Sequence, residues 1–539
     1  MRDSGRTALL AALALLLLAV WLDPPGSWLA EPDEPRYAEI PREMLATGDW
    51  VVPRLNGVPY FEKPPLLYWG NAAAMKLLGN TNFAARLATR VAGLGTLLLV
   101  WLAVGRLWGR RAGLVAAVFF LMGPLPFTFS RLNLTDGVLT FFFTATVLAG
   151  FATLRAKAQR RPCLALSAWT GAAAAGAFLS KGLIGIVLPG GILFFWALAT
   201  RQGRALTALL FGPAAPVFLA LSLPWLILAE KRVPGFLNFF FVHEHFQRFA
   251  TPIANRPGPI YYFVVVFVAG FLPALGFFFR GLRGAGRREP ETLLFVIWFA
   301  VLFAFFSLSH SKLSPYLFPA FPAAAALAAR GFIAARGRGF GLAAALSILI
   351  APLALAIPAA REAAVRSGVL PVVLAGAAAL IVGAAASWAM RRTEDVALGV
   401  LATGWAALYL SLALLWPHTA LAQDIRTLAL DAKAAAAAAP GAAIVTYRTY
   451  LQGFPWFLES VVPLADHTSE LEYWWLPPAR RAEIFWSKED FWTRWSSGRP
   501  LVVLRKKADA KDFLNASPAA VTVSSRGKHE VVANFGSGP

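Results

Sequence analysis

Residues 133–161 read NLTDGVLTFFFTATVLAGFATLRAKAQRR. Between Asp136 and Arg155 stand eighteen uncharged residues, most of them apolar. As a helix they reach about 27 Å, close to the ~30 Å of a bilayer's hydrocarbon. The two ends differ. One carries a single carboxylate, the other Arg155, Lys157, Arg160 and Arg161. Basic clusters mark the cytoplasmic end of a span, so this one points Asp136 outward.

The same grammar repeats along the chain. Apolar segments fall at roughly 7–22, 82–104, 112–129, 135–154, 163–180, 182–199, 206–229, 260–280, 291–307, 314–335, 339–359, 368–390 and 396–416, about thirteen spans. Alternate connections are basic, among them Arg106/Arg110/Arg111, Arg201/Arg204, Arg280/Arg283, Arg330/Arg336 and Arg391/Arg392. They share a side with Arg2 and Arg6, which the positive-inside rule makes cytoplasmic. The first apolar run resembles a signal peptide, but WLDPPGSW follows it instead of an A-x-A site, so an uncleaved first helix is expected.

Composition agrees. Of 539 residues 58% are hydrophobic and 15% charged, with a mean hydropathy of +0.59. Soluble chains carry about 25% charge. The formal net charge of +21 lies mainly in short loops, where it orients helices, so no nucleic-acid partner is expected. Cys163 stands alone, which excludes an intrachain disulfide and a cysteine metal site. No phosphate-cradling or dinucleotide glycine motif appears, so no nucleotide cofactor is expected.

The expected architecture is an all-α polytopic membrane protein over 1–416, with a small α/β domain over 417–539. VTY, VVP and LVVLRKK read as its strands and EDFWTRW as a helix. The outer loop 23–81 holds two stretches of helical spacing, RYAEIPREMLATG and LLYWGNAAAMKLLG, suited to lie in the membrane interface.

Polar residues that are costly near a membrane gather on the outer side. EPDEPRYAEI presents Asp33, Glu34, Arg36 and Glu39; one of these carboxylates could serve as a general base, or the loop could simply be solvated. Asp136 is either a functional acid or a helix cap. FEKPP sets Glu62 beside Lys63, a point charge suited to a lipid phosphate or to snorkelling. SKG (Lys181) and HSKLSPY (His310, Lys312, Tyr316) repeat that theme. Lys63, Lys312, Tyr316 and Tyr60 thus form a candidate phosphate-binding set. In FFFVHEHFQRF, Glu244 and Arg248 either pair across one turn or Arg248 grips a phosphate. His243 or His245 with Glu62 could hold a divalent metal, Zn or Mg/Mn, or stand as ordinary hydrogen-bonded groups. Charges confined to one rim favour a transferase using a lipid-phosphate-linked donor; a lipid or solute transporter would carry them along the mid-membrane path.

EPDEPRYAEIPREMLATGDWVVPRLNGVPYFEKPPLLYW, LTDG, LSKGLIGIVLP, FFFVHEHFQRFA and SKLSPYLFP stand in this order over roughly 31–322. The pattern resembles the bacterial aminoarabinose (4-amino-4-deoxy-L-arabinose) lipid A transferases, within the protein O-mannosyltransferase-like GT-C glycosyltransferases. The last three spans and the tail match only in kind. The resemblance implies a sugar donor linked to undecaprenyl phosphate, a lipid A acceptor, inverting transfer on the periplasmic side, and a place in the bacterial inner membrane. It implies acidic roles for Asp33 and Asp136, phosphate contacts at Lys63, Arg248 and Tyr316, and a metal site at Glu62 and a histidine of HEH. FEKPPLLYW is shared across the wider superfamily, so a protein or surface-glycan acceptor stays open.

Overall fold

The computed structural model of the chain describes residues 2–247, 257–283, 289–514, 516 and 519–535. All thirteen expected apolar segments fall on helices, from Arg2–Trp21 to Glu394–Leu415. Among the described residues, eight helices are long and apolar enough to span a membrane, and a pair bent by 81°, Tyr262–Gly270 with Leu272–Arg283, makes a ninth. Ile184–Ala199 and Phe340–Ile350 are shorter apolar helices. The segment expected at 112–129 is interrupted: Arg110–Met122 ends at Gly123, and Pro124–Phe129 starts a new helix, as proline at a first helical position favours. The chain is a polytopic membrane protein with a helical core.

The chain divides into two compact units. The first holds 1–24, 62–67 and 86–415. In lipid no hydrophobic force draws helices together, so close backbone approach and van der Waals contact must. Gly281 and Gly331 supply it: a methyl on either would strike the facing carbonyl of Leu327 or Phe277. Buried arginines are paired. Asp23 accepts from Arg86 at 3.0 Å and lies 3.3 Å from Arg90.

The second unit holds 25–61, 68–85 and 416–539. Its six-stranded sheet runs, in space, Phe485–Trp486, Leu464–Ala465, Ala443–Tyr447, Leu501–Lys506, His529–Ala533 and Val521–Arg526. The first three pairings are parallel and the last two antiparallel. The expected strands at VTY and LVVLRKK are its centre; VVP gives only the approach to Leu464–Ala465. EDFWTRW lies in the helix Lys488–Ser496, opened by a capping box between Ser487 and Asp490.

Within this unit the outer-loop residues are tied to the C-terminal ones. Asn56 bonds both the N–H and the carbonyl of Val462, each at 2.8 Å. Glu31 accepts from the backbone of Gly453 and Gln452 at 2.5 and 3.2 Å. The helix Asp33–Thr47 is buried continuously from Glu34 to Met44.

Candidate active site

In the first unit an apolar cavity of about 220 Å³ opens among helix ends. Its polar lining is Glu62, Lys63, Lys181, Glu244 and Tyr316, with Ser309 and Ser311, against a wall that includes Ile184, Leu188, Phe305 and Phe306. Two ammonium groups and a phenol in an apolar cleft suit the head of an anionic amphiphile.

Each polar group is held from a different element. Lys63 precedes Pro64, which biases it to extended backbone. Its Nζ donates to the Glu62 carbonyl at 2.9 Å and lies 3.6 Å from Glu62 Oε2. Lys181 closes the helix Leu164–Lys181 and donates to Asp136 Oδ1 at 2.5 Å. Asp136 stands in the first turn of Thr135–Ala158 and is buried. The same ammonium sits 4.7 Å from the centre of the Tyr316 ring, a cation–π distance. Tyr316 is carried on the 3₁₀ turn Ser314–Ala320 and packs against Phe306.

Glu244 comes from Phe239–Gln247, a π-helical segment of the kind that recurs at functional sites. Its carboxylate is buried and lies 3.3 Å from His243 Nδ1, while the His243 ring stacks on Phe239. Arg248 and the side chain of His245 lie outside the described residues. Among the described residues no three His, Cys, Asp or Glu side chains gather as metal ligands. The expected pairing of Glu62 with His243 or His245 includes a side chain, that of His245, outside the described residues.

Lys312 is engaged elsewhere. Its Nζ donates to the carbonyls of Ser307 and Ser309, each at 2.8 Å, satisfying the orphan C-terminal end of the helix Pro290–Leu308. Lys181, which the sequence offered as a phosphate contact or an anchor, and Glu244, offered as a partner for Arg248, line the cavity. The signal for Lys181 was its position, a lysine at the outer end of an apolar helix, opposite a second outer-end carboxylate.

Asp33, Glu34 and Tyr60 belong to the second unit. The Asp33 side chain is 42% exposed and meets Arg36 Nη1 at 3.2 Å. Glu34 is buried, and its Oε2 accepts from the Ala30 N–H at 2.8 Å. Of the two adjacent carboxylates only Asp33 is open to a ligand; Glu34 holds the turn. Arg36 is braced from behind by Glu470 at 2.9 Å. Tyr60 is buried beside the short strand pair Arg54–Leu55 and Val58–Pro59. Burial drives Glu31 up to about 7, against the backbone bonds it accepts. Burial and the charge of Glu39 drive Glu43 up to about 8.

Comparison with known proteins places this geometry. The structure of ArnT from Cupriavidus metallidurans bound to undecaprenyl phosphate superposes with a TM-score of 0.83 at 28% identity, covering 99% of this chain and 98% of that one. The fold is the GT-C fold of ArnT. The family model for dolichyl-phosphate-mannose-protein mannosyltransferases matches residues 7–240. An undecaprenyl phosphate-alpha-4-amino-4-deoxy-L-arabinose arabinosyl transferase of Pectobacterium carotovorum is 38% identical over 331 residues, 60% of this chain. A namesake from Aeromonas salmonicida is 37% identical over 322 residues, 58% of this chain. The matched part spans 58% of the length of each of these two relatives. This chain thus resembles ArnT across its GT-C fold and the aminoarabinose transferases over about 60% of its length.

Proposed function

We propose that this chain is an integral-membrane inverting glycosyltransferase that moves a sugar, with 4-amino-4-deoxy-L-arabinose the leading candidate, from undecaprenyl phosphate to lipid A. The observation that carries this reading is the cavity in which Lys63, Lys181 and Tyr316 converge against an apolar wall. Its likeness to a fold solved with undecaprenyl phosphate supports the donor class.

In this reading the bond from the sugar carbon to the phosphate oxygen breaks, and its electron pair stays on the phosphate. Fixed cations that face that oxygen stabilise the charge as it builds. Lys63 and Lys181 are the groups assigned to this task, with Tyr316 donating its hydroxyl and Arg248 a further proposed phosphate contact; Lys312 braces the helix end beside Ser309, and Tyr60 is buried in the second unit. The acceptor oxygen attacks the opposite face of the sugar carbon, and its proton passes to a carboxylate, for which Asp33 is assigned on its exposure. Asp136 holds and aims Lys181. A divalent ion at Glu62 and the histidines remains a proposal for chelation to test. We assign residues 1–416 to the catalytic membrane domain and 417–539 to a periplasmic domain, in the bacterial inner membrane with the site facing the periplasm.

The match to a protein mannosyltransferase model favours one second reading, a protein or surface-glycan acceptor with the same donor class. A transfer assay with purified chain, undecaprenyl-phosphate-linked aminoarabinose and lipid A tests the proposal. Sugar appearing on lipid A supports it. Transfer to protein alone, or hydrolysis without transfer, refutes the lipid A assignment.

A further inference from the structure

A second crevice, of about 330 Å³, lies in the first unit where the basic connections meet the helix ends. It is lined by Trp108, Ala112, Arg280, Gly281, Arg330 and Ile333. Trp108 ends the helix Asn82–Trp108, and its amphipathic ring is the type enriched where a span meets water. The Arg330 guanidinium lies 5.4 Å from the centre of that ring and pairs with Glu289 at 2.6 Å. Arg280 shares the crevice but has no ion-pair or hydrogen-bond partner among the described residues. Two other arginines of the basic connections are neutralised internally: Arg111 meets both Glu394 and Asp395 within 2.9 Å, and Arg155 pairs with Glu291. Among the described residues of the crevice lining, Arg330 is paired and Arg280 is not. Its rim turns apolar at Ile333, 38% exposed, and Phe279, next to Arg280, is also exposed.

We propose that this crevice binds the headgroup phosphate of an anionic phospholipid, with Arg280 as its principal contact and the exposed apolar rim at Ile333 taking the first part of an acyl chain. Basic pockets between membrane helices recognise such headgroups by charge, and a guanidinium grips phosphate with two parallel donors. A phosphate without a lipid tail would use the arginines but not the rim. The site is separate from the donor cavity and does not depend on the glycosyl-transfer reading.

The test uses the full chain in nanodiscs of phosphatidylcholine with added phosphatidylglycerol, moved to mild detergent, with retained lipid counted by native mass spectrometry. The expected result is one retained phosphatidylglycerol on the wild type, and about fivefold lower occupancy for R280Q. I333E, which sets a carboxylate on the rim, should lower occupancy similarly and serves if R280Q lowers the melting temperature in pure phosphatidylcholine. R283Q removes the same charge outside the crevice and should retain the lipid, as should the wild type in millimolar inorganic phosphate. Equal loss in R280Q and R283Q, unchanged occupancy in both crevice variants, or displacement of the lipid by inorganic phosphate would overturn the proposal.

Discussion

Lys181 Nζ lies 2.5 Å from Asp136 Oδ1 while its other side faces the Tyr316 ring at 4.7 Å. Both side chains are more than nine-tenths covered, so water screens the pair weakly. Breaking such a pair from one side costs about 3–5 kcal/mol, because a lone charge is left in an apolar setting. K181M alone should therefore lower the melting temperature. The double variant D136N/K181M removes both charges and should recover most of that stability while transfer stays lost. A double variant that regains turnover would make the pair purely structural.

Lys63 presents a different balance. It lines the cavity with its ammonium 3.6 Å from the neighbouring Glu62 carboxylate. A hydrogen bond to a charged group contributes about 1.5–3 kcal/mol, so K63A should weaken undecaprenyl-phosphate binding by about 10- to 100-fold with little change in melting temperature. Unchanged lipid affinity in a competition assay would return Lys63 to the role of an interface anchor.

Asp33 and Glu34 are adjacent but should fail in different ways. D33N should cut turnover by about 10²–10⁴ while donor binding and melting temperature stay near wild type. E34Q alters a buried acceptor that holds the Ala30 N–H, so its effect should appear first in stability. Wild-type turnover in D33N would remove that residue from the chemistry.

The second unit should respond to pH. Glu31 and Glu43 titrate near 7 and 8 when folded, above the ordinary carboxylate range. The folded state thus binds more protons than the unfolded one between about pH 4.5 and 8. Stability is highest below that window and falls as pH rises through it. Melting temperature of the intact protein should decline across this range, and E43Q should flatten the decline. A slope unaltered by E43Q would contradict the assignment.

The helical part was legible because each span announces itself by length, apolarity and basic ends. Residues 133–161 alone gave a helix, seen as Thr135–Ala158. The interruption near Gly123 was less visible, since PLPF continues the apolar run while resetting the backbone. The second unit was hidden for another reason. Its ties, Asn56 to Val462 and Glu31 to Gly453, join residues some four hundred positions apart, and no local pattern encodes them. Within the cavity, Lys63 and Tyr316 were readable as outward charges and rings near the membrane. Lys181 looked like any anchoring lysine until its partner across the helices, Asp136, was in view. The separation of Asp33 from Glu34 needed burial, which adjacent letters do not carry.

The most direct test of the central claim is mass spectrometry of lipid A from cells with and without this chain, grown where the sugar donor is made. The account predicts that a sugar-sized mass on the lipid A phosphates disappears with the chain and returns with it, but not with its D33N form. Lipid A identical in both strains, with the protein expressed and donor present, would contradict the lipid A assignment.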